Sequence, residues 1–348
     1  MISKERTNIA LRGGKPDRVP VFSDFVPEVK QALLEYFKTD DYYEMSVRLG
    51  NDMLMAGAGI GSSYYGEGEE YVCSWGCKWK YFRNESGRYT CIIDHPLEKD
   101  IDGSLLTAYQ IPDPENENIY TEFKDLVKRY GETHFICGAV PCSIFEASWY
   151  LRGIENLIAD MAIEPDYANA LMDKVMEFPL KAGLRYIKEG AAMIWLGDDV
   201  GMQSSMLMSP AMWREYLKPR MKKIIEAYKA ENPDILVAYH SCGYIIPIID
   251  DLIEIGLDVL NPIQPKAMDP ARINDMFGKR LSFWGSICIQ ETLPRGTKEE
   301  IENEVRLRME TIGKDGGLLI GPAHLIQADT SVENVMIFYE AVKKYGEY

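Results

Sequence analysis

Short apolar runs alternate along this chain with longer stretches whose apolar residues recur at helical spacing. The runs at 19–22, 52–56, 134–139 and 192–196 predict strands, and so do those at 236–240, 259–262, 281–285 and 317–321. Helix signals lie between most of them. Ser209-Pro210 pairs an N-cap with a first-turn proline and opens an amphipathic stretch toward Ala230. Thr297-Lys298-Glu299-Glu300 reads as a capping box before 301–312, and Ser331-Val332-Glu333-Asn334 starts a last helix toward Lys344. Strand–helix alternation implies a parallel sheet. Eight strands in this order predict a (β/α)8 TIM barrel, with an open doubly wound sheet as the alternative.

One connection departs from this rhythm. Between the second and third strands lie roughly 75 residues, far more than a barrel loop needs. Within them, 71–82 and 88–93 flank Asn84-Glu85-Ser86-Gly87, which predicts an inserted β-hairpin over about 68–95 that covers part of the barrel mouth. The rest reads as a single barrel domain over 1–348.

Composition narrows the possibilities. A 46% hydrophobic, 26% charged chain without low-complexity tracts has enough apolar residues for a sizeable core. A formal net charge of −16 without a clustered basic stretch argues against nucleic acid as a partner. No run of ~20 apolar residues is present to span a membrane. No apolar signal stretch follows Met1-Ile2-Ser3-Lys4-Glu5-Arg6. The seven cysteines form no dense framework, so reduced thiols and a cytoplasmic location are expected.

The most informative chemistry is His240-Ser241-Cys242, placed at the end of the apolar run 235–239 and just before Gly243. Side chains alternate in extended backbone, so His240 and Cys242 share a face with Cα atoms about 6.5–7 Å apart. That suits an imidazole nitrogen and a thiolate closing on one zinc ion at ~2.0–2.3 Å each. The triplet also occurs by chance, and a core histidine with both nitrogens hydrogen-bonded is the plainer reading. Other functional groups fall at predicted strand ends: Ser23-Asp24, Pro141-Cys142-Ser143 with Glu146, Gly197-Asp198-Asp199, Asn261-Pro262-Ile263-Gln264, Gly285-Ser286 and Gly321-Pro322-Ala323-His324. A barrel gathers such ends at one face. Asp198-Asp199 before Gly201 reads equally as a turn, and His324 as a partner for a loop carbonyl. Cys73 and Cys77 have the spacing of half a zinc ribbon without a second pair and are read as structural thiols. Cys137, Cys142 and Cys288 are read as small buried groups, and His95 and His134 as connection residues. Tyr64, Tyr65, Met202, Met206 and Met208 are read as core or pocket lining. Walker A, G-x-G-x-x-G and G-x-S-x-G motifs are absent.

With these motifs in view, the chain resembles the uroporphyrinogen decarboxylase superfamily over nearly its whole length, and within it the corrinoid-dependent methyltransferase branch. The resemblance rests on Ala10-Leu11-Arg12-Gly13-Gly14-Lys15-Pro16-Asp17-Arg18-Val19-Pro20, on Gly197-Asp198-Asp199 followed by Ser209-Pro210, and on His240-Ser241-Cys242-Gly243. It rests also on Asn261-Pro262-Ile263-Gln264 and on Gly321-Pro322-Ala323-His324 leading to Val332-Glu333-Asn334. The resemblance implies a (β/α)8 barrel. The decarboxylases of the superfamily carry paired arginines after the first strand to hold a polyanion. Here Phe22-Ser23-Asp24-Phe25-Val26-Pro27 has none. The methyltransferase branch implies zinc held by His240 and Cys242, with His324 standing where a later thiolate is usual. One thiolate and two imidazoles leave such a site more positive than two thiolates would, which favours an oxygen donor. The implied activity moves a methyl group from a methoxy compound, such as a methoxyarene, to the cobalt(I) corrinoid of a partner protein. Glu146, Asp199 and Gln264 are the candidate catalytic groups: Gln264 and Glu146 as a fourth ligand or an acid near the leaving oxygen, and Asp199, with Asp198, as a carboxylate that orients ligands. Three alternatives stay open. One is methyl transfer between a methylcorrinoid and a thiol. Another is metal-independent decarboxylation of a small acid with Asp24, Asp199 or His324 as proton donor. The last is a barrel that keeps zinc for structure. A homodimer also stays open.

Overall fold

The computed structural model describes residues 1–60, 66, 68–84 and 87–348. Among the described residues there are ten strands. They are β1 (Met53–Gly57), β2 (Glu70–Val72), β3 (Lys78–Asn84), β4 (Gly87–Asp94), β5 (Phe135–Val140), β6 (Met193–Gly197), β7 (Leu236–His240), β8 (Val259–Asn261), β9 (Ser282–Ile287) and β10 (Leu318–Pro322). Seven form one parallel sheet in the order β1-β5-β6-β7-β8-β9-β10, with helices between them. The segment at 19–23 closes this sheet into a TIM barrel. Phe22 N bonds Ile320 O and Ile320 N bonds Pro20 O on the β10 side, while Asp52 N bonds Val21 O beside β1. The predicted first strand is therefore an extended stave held by isolated bridges such as Val21 to Ile320. Pro20 has no N–H for a ladder, which accounts for the difference.

The barrel strands are buried almost throughout and mostly apolar because both their faces are covered. Their inward positions, including Met53, Phe135, Cys137, Met193, Leu236, Ala238, Val259, Trp284 and Leu319, form one buried cluster with Leu11 and Phe22. The opposite faces pack against the helices in a second, larger core. Helix Ser3–Leu11 lies near the strands' N-terminal side, where Lys4 N bonds Thr133 O and Ser282 Oγ bonds Leu11 O. The three helix starts read from the sequence are present. Ser209, Thr297 and Ser331 each accept from the backbone N–H three residues on, and Glu300 completes the capping box by accepting from Thr297 N.

The insertion departs from a simple hairpin. Residues 71–82 divide into β2 and β3, giving a three-stranded antiparallel sheet β2-β3-β4. The division is a turn in which Gly76 N bonds Cys73 O and Gly76 takes a left-handed φ of +81°. This sheet packs on helices Phe145–Arg152 and Pro165–Lys188 through the ring pairs Trp79–Tyr150 and Trp75–Phe178. Tyr64, Tyr65 and the turn residues Glu85 and Ser86 lie outside the described residues. Among those described, no helix is long and apolar enough to cross a membrane.

Candidate metal centre

The neighbouring strands β6, β7 and β8 bring Gly197, His240 and Asn261 side by side. A Cβ on Gly197 would lie 3.1 Å from His240 Cβ, so the missing side chain makes room for the imidazole. Like Leu236 and Ala238, His240 follows the inward alternation of its strand. Asn261 Oδ1 lies 2.9 Å from Trp195 Nε1 and 2.7 Å from His240 Nδ1. An indole N–H can only donate, so this Asn261 atom must be the oxygen and His240 Nδ1 must carry a proton. The Asn261 amide nitrogen donates in turn to Trp284 O. His240 Nε2, the nitrogen that carries the lone pair in that neutral tautomer, lies 3.4 Å from Cys242 Sγ.

Cys242 lies just past β7, whose pairing continues one step as Ser241 N bonds Asn261 O. Its backbone N–H donates to Asp199 Oδ1 at 2.7 Å, and the same oxygen stands 3.5 Å from His240 Nε2. Gly243 takes a φ of +81° and donates its N–H to Gln264 Oε1 at 2.9 Å. A Cβ on Gly201 would fall 2.4 Å from Cys242 O, so only glycine lets the post-β6 loop press against this turn. His324 follows β10, its ring centroid 5.6 Å from that of His240. The ligand atoms of His240, Cys242 and His324 all lie within 4.8 Å of one another. Donors sharing a tetrahedral zinc ion stand about 3.4–3.7 Å apart. The His240–Cys242 pair already has that spacing, and a small side-chain movement brings in His324.

The electrostatics suit a cation. Burial first, then the Asp199 and Glu146 carboxylates, push the Cys242 thiol well above its usual range. Crowding by protein groups and the facing His240 push His324 below the ordinary imidazole range, an effect that the exposure of this residue to solvent moderates. A neutral imidazole is a ready ligand, and a bound divalent cation would hold the cysteine as thiolate.

The remaining predicted residues surround this cluster. Asp198 is buried and accepts from the backbone of Ile144 and Glu146, with burial raising its pKa to about 7. It therefore anchors the start of helix Phe145–Arg152 and not the ligands. Glu146 sits behind Asp199, accepting from Asp199 N at 3.0 Å and from Tyr150 OH at 3.3 Å. Burial, then Asp199 and Asp198, lift its carboxyl well above the carboxylate range. The Gln264 amide is committed to Gly243 N and Gln290. Asp24 accepts from Tyr42 OH and the backbone N–H of Phe25, and burial raises it. Met208 is buried and Met202 exposed; Met206 and Met208 line a groove of about 470 Å³ with Tyr244. Sequence reasoning missed the role of Asn261 as the group that orients His240. The alternation within 259–262 carried the signal, because it places Asn261 on the inward face.

Comparisons with known proteins bear on the family and the fold. The family model described as uroporphyrinogen decarboxylase (URO-D) matches residues 86–345. A methylated-thiol–coenzyme M methyltransferase of Methanosarcina mazei is 25% identical over 203 residues, 58% of this chain and 51% of that protein. A uroporphyrinogen decarboxylase of Pelodictyon phaeoclathratiforme is 25% identical over 186 residues, 52% of this chain and 50% of that protein. The chain thus spans about half the length of these curated relatives. A solved methyltransferase structure from Methanosarcina mazei superposes with a TM-score of 0.73 at 19% identity, covering 99% of both chains.

Proposed function

The chain belongs to the uroporphyrinogen decarboxylase (URO-D) family, and from that premise we propose that it is a zinc-dependent methyltransferase. In this reading it moves a methyl group from a methoxy compound, a methoxyarene in the first instance, to the cobalt(I) corrinoid of a partner protein. The observation that carries the reading is the convergence of His240, Cys242 and His324 within 4.8 Å at the C-terminal end of the barrel. The donor set fits zinc: two imidazoles and one thiolate leave a coordination position for substrate. Zinc bound there would supply Lewis acidity toward the oxygen that leaves the methyl carbon.

The chain's own residues do the rest. Asn261 aims His240 Nε2 into the cluster, and Asp199 holds the backbone of Cys242. Trp195 stands 5.3 Å from His240 and 5.9 Å from Trp284, an aromatic wall suited to an arene. Glu146, whose carboxyl burial and the neighbouring Asp199 push upward, lies behind Asp199 as a group able to hold a proton. The corrinoid arrives as the second substrate, on a partner that docks at the mouth.

A second reading, transfer from or to a thiol, is favoured by the activity for which the Methanosarcina mazei relative is named. It uses the same ligands with sulfur in the open position. One experiment separates the two. Purified protein with its metal is mixed with reduced corrinoid protein and either methoxyarenes or methylated thiols, and methylcobalt absorbance is followed. Methoxyarene-dependent signal supports the first reading, and signal from methylated thiols alone replaces it with the second. Zinc content unchanged in both His240→Ala and Cys242→Ser overturns the metal site.

A further inference from the structure

Cys73 and Cys77 face each other across the turn that joins β2 to β3. The register Glu70–Lys80, Tyr71–Trp79, Val72–Lys78 continues to place Cys73 opposite Cys77, and Cys73 N bonds Cys77 O at 3.0 Å. Directly opposed residues of an antiparallel pair have Cα atoms about 4.5–5.5 Å apart. A disulfide needs about 4.4–6.8 Å. Both residues are free thiols. Cys77 is fully buried and Cys73 nearly so, with exposed Val72, Ser74 and Gly76 around it.

The Cys77 sulfur has a second neighbour. It lies 3.1 Å from Tyr150 O, an oxygen that also accepts from His95 Nδ1 at 2.7 Å. Tyr150 is in the last turn of helix Phe145–Arg152, where carbonyls lack helical partners, so the insertion and its exit segment supply the donors. Leu97 N does the same for Leu151 O. The first turn of this helix carries Glu146, bonded to Asp199 N.

We propose that Cys73 and Cys77 form a reversible dithiol–disulfide switch whose reduced state uses the Cys77 S–H to clamp the inserted sheet onto helix Phe145–Arg152. The oxidant is a small organic disulfide. The Cys73 thiolate attacks one of its sulfurs, breaking that S–S bond and releasing one thiolate. Cys77 then gives up its proton, and its sulfur attacks that of Cys73, forming the internal disulfide and expelling the second thiolate. Two protein thiols are oxidised, one organic disulfide is reduced, and the two protons end on the two released thiols. Cys73 is the attacking group because it is the less buried of the two, flanked by exposed Val72, Ser74 and Gly76, while the Cys77 S–H is engaged at the Tyr150 carbonyl. Once oxidised, the Cys77 sulfur has no proton to donate to the Tyr150 carbonyl, while His95 Nδ1 still can. The clamp weakens at the helix that presents Glu146. This inference does not depend on the zinc reading.

The test uses the full chain, reduced and then incubated with oxidised glutathione. Free thiols are alkylated and peptides mapped by mass. The expected product is an internal Cys73–Cys77 crosslink, two hydrogens lighter and reversed by dithiothreitol, while exposed Cys91 takes up a mixed disulfide as an internal control. Hydrogen exchange over 145–152 is expected to quicken several-fold on oxidation. Cys73→Ser, which keeps the Cys77 proton, is expected to show no acceleration. The proposal is overturned if Cys91 reacts while Cys73 and Cys77 stay reduced or take separate adducts. It is equally overturned if the crosslink forms and exchange over 145–152 does not change.

Discussion

Asn261 Oδ1 lies 2.7 Å from His240 Nδ1 and thereby decides which nitrogen of that histidine faces Cys242. The same oxygen is held by the Trp195 indole, so the orientation of the amide is set independently of the histidine. Removing it should be felt at the metal. Asn261→Leu is expected to weaken zinc binding about 10–100-fold with all three donors still in place. It should also cost about 1–3 kcal/mol through the unpaired Trp195 N–H. Asn261→Asp keeps the accepting oxygen and should recover most of the affinity. Competition against a chromogenic chelator measures both variants.

Zinc bound as proposed should act as a staple. Ligand at one hundred times its dissociation constant stabilises a folded protein by about 2.7 kcal/mol. Chelation should therefore lower the melting temperature of the wild type by several degrees and leave His240→Ala almost unmoved. Calorimetry with and without chelator reads the difference. An equal fall in both proteins would show that the chelator acts elsewhere.

Close backbone approach at the site makes a third expectation. A Cβ on Gly201 would fall 2.4 Å from Cys242 O, an atom that cannot swing away as a side-chain tip can. Gly201→Ala should cost about 1–3 kcal/mol by overpacking and displace Cys242, so that zinc affinity falls along with stability. At Gly13, where nothing lies within 4 Å of an added Cβ but φ is +78°, alanine should cost stability while leaving the metal untouched.

A pH expectation follows from the N-terminal ion pairs. Arg6 holds Asp17 through Nε at 2.7 Å and Nη2 at 2.8 Å, and this bonding keeps the Asp17 carboxyl well below its usual range. A carboxylate lowered on folding contributes stability above its unfolded pKa of about 3.9, and that contribution is lost as pH falls toward the folded value. Asp17→Asn should therefore melt about 1–3 °C below wild type at pH 7, a modest effect because the carboxylate is partly exposed. The gap should narrow below pH ~4. A gap that widened in acid would assign the stabilisation to another group.

Much of the barrel was readable because its parallel strands are largely apolar and several are followed by a helix with a side-chain cap, as at Ser209, Thr297 and Ser331. The signal fails where local chemistry is ambiguous. Pro20 lies inside an apolar run that looks like a strand, yet the run makes only single bridges. Cys73 to Gly76 contains no strong turn pair, so the break between β2 and β3 was hidden. His240, Cys242 and His324 could be found because backbone alternation and strand ends place them. For Asn261 the same alternation gave only an inward position; its partner lies 21 residues away on another strand, which local pattern does not pair with it. Gln264 illustrates the reverse case: its position suggested a ligand, but its amide oxygen is taken up by Gly243 N.

The cylinder has a seam. Between β10 and β1 it is zipped by an extended segment whose few bonds include Phe22 N to Ile320 O and Ile320 N to Pro20 O. The loop bearing His324 is stitched to the same segment, through Ile326 N to Asp24 O and Val26 N to Ile326 O. His240 and Cys242 belong to the opposite, fully laddered wall. Whatever loosens the seam therefore draws one donor away from the other two, so the grip on an ion is governed by the least firmly sewn edge of the fold.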